Sequence, residues 1–239
     1  MQATLPLQSK AATTTQGARY DIYQHIHKAM RRLYADTLTA LGSVDPADPA
    51  ALPKVLAQAR TLFDVCELHY AHEESFIHPT LERMQPGVTA QVEAEHRTHR
   101  ETLEQMRELL AVAAASDGAT RAQAVARLYR TLATYMSEDL AHMEVEEVAF
   151  NAILWCHHTD AELRGIEAQI ASHVPAQIMA AVMPWMIGAL NAHERAEFLG
   201  GARKGMPPEV FGGVLKVARR ELAASEWAKL ARDLQLTER

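Results

Sequence analysis

The sequence predicts an all-α protein: an up-down-up-down four-helix bundle followed by a helical C-terminal extension. Three observations carry that expectation. Four long stretches before residue 157 repeat apolar side chains every three or four positions, the period of a helix with one buried face. Gly and Pro, 11 and 10 of 239 residues, gather at a few breaks between those stretches. His-x-x-x-Glu-Glu occurs twice, at His69–Glu74 and His142–Glu147. Residues four apart share a helix face, with Cβ atoms roughly 5–6 Å apart.

Residues 1–17 are polar and Thr-rich and read as a flexible lead. The first helix runs from about Ala18 to Leu41 and stops at Gly42-Ser43; Val44–Ala50, with two Asp-Pro pairs, is a loop. The second has Pro53 in its first turn and reaches about Met84, with Pro79 expected to kink or end it. Pro86-Gly87 is a break. The third covers about Val88–Ala115, and Ser116-Asp117-Gly118 closes it. Thr120 is expected to cap the fourth, which continues to about His157. Short connections make neighbours antiparallel. Residues 18–157 thus form the bundle and 158–239 the extension. Charge divides at the same place: residues 1–156 carry a net −6, and 157–239 a net of zero. In the extension, Asn191 and Glu194 form a capping box and Pro207-Pro208 opens a short helix. It is expected to cap the bundle through Met183, Trp185 and Met186, or to form a homodimer surface.

The apolar rows fix the register. They run through Tyr20, Tyr23, His27, Met30 and Tyr34, then Leu62, Cys66, His69, Glu73 and Phe76. The third row is Val92, His96, His99, Leu103, Met106 and Leu110; the fourth is Tyr135, Asp139, His142, Glu146, Ala149 and Ile153. Each helix places histidine inside its buried row, and two add a glutamate. Buried carboxylates cost several kcal/mol unless paired or coordinated. Metal ions supply the compensation. Imidazole and carboxylate donors suit iron, manganese or zinc, and more than four of them favour two ions over one tetrahedral site. The candidate ligands are His27, His69, Glu73, His96, His99, His142 and Glu146, with His96 favoured over His99.

The remaining groups have plainer expectations. Glu74 and Glu147 fall off the row, as solvated groups or partners of a ligand. Asp139 is placed to hold the His142 ring. His25 faces solvent or a neighbour, His72 flanks the site, and His78 is peripheral. Tyr20, Tyr23, Tyr34 and Tyr135 pack with satisfied hydroxyls. Cys66 and Cys156 are too few for a disulfide framework and lie in helical stretches, which makes a cytoplasmic location the default. A net charge of −6 argues against a nucleic-acid partner. The apolar run Ile178–Leu190, broken by Pro184, is too short for a membrane span.

Over residues 18–157 the chain resembles the hemerythrin-like, or HHE cation-binding, family. The resemblance rests on His27-Lys28, HYAHEESFIHP at His69–Pro79, Glu95-His96, and HMEVEEVAF at His142–Phe150. It implies a non-haem di-iron centre of the Fe–O–Fe type, ligated by His27, His69, Glu73, His96, His142 and Glu146 and bridged by the two glutamates. Family members that carry oxygen have two histidines four apart on the third helix, whereas His96 and His99 are three apart. The 160–239 segment resembles the extension of some bacterial members. Three functions are compatible with such a centre: binding or sensing a diatomic ligand (oxygen or nitric oxide), chemistry on peroxide or nitric oxide, and iron handling under stress.

Overall fold

The computed structural model describes residues 19–236, and among them every regular element is helical. The expected lead of residues 1–17 lies outside the described residues. Four rods form the bundle. The first is α1 (Gln24–Ser43). The second joins α2 (Leu52–His72), a π-helical turn (Glu73–Ile77) and α3 (His78–Met84). The third is α4 (Ala90–Ala115). The fourth joins α5 (Gly118–Val145), a second π-helical turn (Glu146–Phe150) and α6 (Asn151–His157). α1 packs on α2 and α5, and α4 packs on the same two, so α1 and α4 stand diagonally across the bundle.

Local chemistry moves two of the expected boundaries. α1 starts at Gln24 rather than near Ala18, because the Asp21 carboxylate accepts the Tyr23 and Gln24 N–H groups and turns the chain there. Thr120 caps nothing: α5 begins at Gly118, whose φ of +49° suits glycine, and Thr120 lies inside the first turn. Pro79 neither ends nor breaks the second rod; it sits in the first turn of α3, where its missing N–H costs little.

The expected rows hold up to each glutamate and then slip by one residue. Beyond Glu73 the buried apolar side chains are Ile77 and Leu81, not Phe76; beyond Glu146 they are Phe150 and Leu154, not Ala149 and Ile153. A π turn carries one extra residue, so it rotates everything after it relative to an uninterrupted α-helix.

The extension consists of α7 (Asp160–His173), α8 (Ala176–Ala189), α9 (Ala192–Gly205), α10 (Pro208–Glu221) and α11 (Ala224–Asp233). The Asn191–Glu194 capping box opens α9 as the sequence indicates. Glu194 also receives Lys28 and Gln24 of α1. α8 lies along α1 and α2, with Met183 and Met186 buried and the Trp185 indole donating to Asp36. Those apolar groups are therefore used within the chain. α7 packs against the first π turn. No helix among the described residues is long and apolar enough to cross a membrane.

Candidate metal centre

His27, His69, His96 and His142 come from α1, α2, α4 and α5, and Glu73 and Glu146 each open a π turn. All six are buried; His69 is the most exposed, at 8 %. They form two groups that could each hold an ion: His27, His69, Glu73 and Glu146, and Glu73, His96, His142 and Glu146. Within the first, the His27 and His69 Nε2 atoms lie 3.1 Å apart; within the second, those of His96 and His142 lie 3.0 Å apart.

The glutamates divide their oxygens between the groups. Glu73 Oε1 is 3.1 Å from His69 Nε2, and its Oε2 is 3.4 Å from His96 Nε2. Glu146 Oε2 is 3.5 Å from His27 Nε2, and its Oε1 is 3.4 Å from His142 Nε2. These are ion-pair separations without hydrogen-bond geometry: all four carboxylate oxygens are buried and lack a hydrogen-bond partner. Orphaned buried carboxylates facing imidazole nitrogens are what a cation site requires. The residues therefore fit a binuclear metal centre.

The outer ring nitrogens are held from behind. Nδ1 of His27 donates to Glu147 (2.9 Å), that of His96 to Glu74 (3.0 Å) and that of His142 to Glu95 (2.9 Å). Such contacts fix the tautomer and turn Nε2 inward. Arg31 grips Glu147 with two nitrogens, and Arg100 grips Glu74 likewise. Arg31 follows His27 by four residues, as Arg100 follows His96. The α4–α5 hairpin thus repeats the α1–α2 hairpin: His27 answers to His96, His69 to His142, Glu73 to Glu146. One correspondence fails. His142 has Glu95 on its Nδ1, whereas His69 has no such carboxylate among the described residues and lines a cavity of about 650 Å³.

Without metal, protons substitute for it. Burial opposes charge on His27, but contacts with Glu147 and Glu73 and the field of Glu146 outweigh it and raise its pKa to about 9. Burial is likewise outweighed at His142, chiefly by Glu146, raising it to about 10. His69 moves the other way, to about 4, through burial. The raised values favour the charged form of His27 and of His142 at neutral pH, each with its Nε2 facing a second imidazole. Metal uptake at pH 7 is expected to release about two protons per chain, from His27 and His142, and apparent affinity should rise as pH climbs toward 9. An indicator dye in weakly buffered solution checks this; uptake without proton release would contradict it.

Other residues sit differently from expectation. His99 is buried but belongs to neither group; its Nδ1 lies 3.5 Å from Asp139, and its ring meets His142 and Tyr135 edge-on. Asp139 is not on His142: it accepts hydrogen bonds from Tyr34 (2.8 Å) and Tyr70, and Glu95 takes the His142 role. His78 is buried, stacked parallel on His96 at 5.5 Å, because the extra residue of the π turn swings it inward. His25 faces a neighbour, Glu167 of α7. Tyr23 packs as expected, but its buried hydroxyl has no hydrogen-bond partner.

A family model described as "Hemerythrin HHE cation binding domain" matches residues 18–154, more than half of the chain. No curated protein and no solved structure is significantly similar to it.

Proposed function

Because the chain belongs to the hemerythrin HHE cation-binding family, we propose that it is a non-haem di-iron protein whose buried centre takes up a small diatomic ligand, oxygen or nitric oxide. What supports this is the way Glu73 and Glu146 give one oxygen to each pair of imidazoles. Two nitrogens and two oxygens would close a tetrahedral zinc site but leave positions free on iron. His27 and His69 would hold one ion and His96 and His142 the other, with both glutamates as bridges. Bound there, iron supplies reversible redox chemistry toward the diatomic ligand. Glu147, Glu74 and Glu95 keep the rings aimed, and the fully buried Tyr70 and Tyr135 help exclude water. Four neutral imidazoles against two carboxylates favour binding over the stabilisation of highly oxidised metal.

The test is optical. Reduced, iron-loaded protein prepared without oxygen should gain visible absorption on exposure and lose it on removal; no change would overturn the reading. One observation favours catalysis instead. Tyr70 stacks on His96 at 4.4 Å and connects through Tyr135 and Asp139 to Tyr34 and Cys66, a route for electrons into the site. Peroxide consumption by the same preparation, faster than by free iron, would decide for that alternative. Two cysteines without a disulfide support a reducing, cytoplasmic location. Pairing of copies through the extension would have to avoid α8, which is covered by α1, α2 and α10.

A further inference from the structure

Position 26 is where the two hairpins part. Glu95, which accepts from Nδ1 of His142 at 2.9 Å, stands one residue before His96. The matching position, one residue before His27, is Ile26. Ile26 and His69 both line the cavity of about 650 Å³ between the bundle and the extension. Where the α4–α5 side carries a carboxylate, the α1–α2 side therefore carries an apolar side chain and a chamber.

His69 is only 8 % exposed. Its Nε2 is committed to the centre, 3.1 Å from Glu73 Oε1 and from His27 Nε2. The ring proton is then on Nδ1, which makes that atom a donor. Nδ1 has no partner among the described residues. Unlike the Tyr23 hydroxyl and the Glu73 oxygens, it is not closed off from a water-sized molecule, so that ring edge faces the chamber. His27, His96 and His142 each have a carboxylate on this atom.

The place tolerates an anion without an arginine. Glu95 is held by His142 and Gln91, with no Lys or Arg on it among the described residues. It stands to Glu146 as a ligand's carboxylate would stand to Glu73. The charged groups of the chamber are matched to one another: Arg164 pairs with Glu197, and Glu167 accepts from Tyr20 and faces His25. The other walls are apolar, Ile26 and Val65 from the bundle and Met179, Phe198 and Met206 from the extension. Their volume is in the range of pockets that enclose organic molecules.

We propose that the chamber binds a monocarboxylate with an aliphatic body, whose carboxylate accepts the His69 Nδ1–H and so gives His69 what Glu95 gives His142. The inference rests on the metal-centre reading for the inward aim of His69 Nε2. Binding itself needs no metal, so the two fail separately. Once bound, the acid fixes the His69 ring as the other three rings are fixed, and the ion on that side is held longer.

The full chain, metal-free and metal-loaded, is titrated calorimetrically with octanoate, 1-octanol and acetate. Saturable binding near one octanoate per chain is expected. Octanol should bind at least about tenfold more weakly, because it forms no charge-assisted hydrogen bond. Acetate should bind at least about a hundredfold more weakly, because it has no tail to bury. Ile26→Glu places a carboxylate where Glu95 stands on the other side and should weaken octanoate at least about tenfold. Ile26→Leu, which keeps the wall apolar, should leave it within about twofold. In metal-loaded protein octanoate should slow removal of one of the two ions by a chelator, by about tenfold. Octanol as strong as octanoate overturns the carboxylate head; acetate as strong, or non-saturable binding, overturns the chamber. Octanoate binding that ignores Ile26→Glu, or that leaves chelator extraction unchanged, overturns its seat on His69. The three-ligand comparison uses the unaltered chain and decides even if a variant misfolds or the protein takes no metal.

Discussion

Glu73→Gln is expected to empty both halves of the centre at once. The carboxylate belongs to both donor groups, whereas His142 belongs to one. Glutamine keeps the shape but removes the charge and one of the two oxygens. Metal content after anaerobic loading should fall from about two ions per chain to less than one. His142→Ala should retain about one. Stability should fall in both states. Metal-free Glu73→Gln removes the charge that faces the His27 and His69 imidazoles, so it should melt several degrees below the metal-free parent. With metal offered, the parent gains stability by mass action and the variant does not. Elemental analysis and paired melting curves check both statements. Two ions per chain in Glu73→Gln would refute the bridging role.

Asp139→Ala should be the most damaging single change away from the donor groups. The fully buried side chain accepts the hydroxyls of Tyr34 and Tyr70. Tyr70 also bonds Tyr135 at 2.6 Å, and Tyr34 meets the Cys66 sulfur at 2.9 Å. Removing the shared acceptor leaves the Tyr70 and Tyr34 hydroxyls with only Tyr135 and Cys66 as partners, costs about 1.5–3 kcal/mol for each hydrogen bond to the carboxylate, and opens a void. A loss of about 3–5 kcal/mol follows, which for a chain of this length lowers the melting midpoint by roughly 10 °C. Asp139→Asn, which keeps an acceptor oxygen, should lose less. Chemical denaturation of the metal-free forms measures it. A loss below about 1 kcal/mol would show that the network contributes little.

The bundle and the convergence of six side chains were legible because both depend on helical period alone. His27, His69, Glu73, His96, His142 and Glu146 fall on rows that any α-helix keeps up to those positions. What depended on departures from the period was not legible. Nothing in Glu73–Ile77 or Glu146–Phe150 announces an i→i+5 turn, so Phe76, Ala149 and Ile153 were put inward, and His78 outward, one residue out of step. Partners across helices were beyond reach for a related reason. Spacing along one helix places Asp139 near His142, but whether it turns to that ring or to Tyr34 and Tyr70 depends on how α1, α2 and α5 meet. Glu95 lies beside His96 in sequence and serves His142, 47 residues away. His99 shares the row with His96 and still falls outside both donor groups. The chamber, built from apolar groups of two regions, leaves no periodic trace.

The broken correspondence between the two hairpins makes the halves chemically distinguishable. An ion beside His69 would border on an apolar hollow, while its companion beside His142 would be backed by Glu95. Two atoms of one element held here would therefore be inequivalent: separate spectroscopic signatures, unequal reduction potentials, and staged extraction by a chelator, the exposed one leaving first. Asymmetry of that sort assigns incoming molecules to a single side, leaving the other as an anchor.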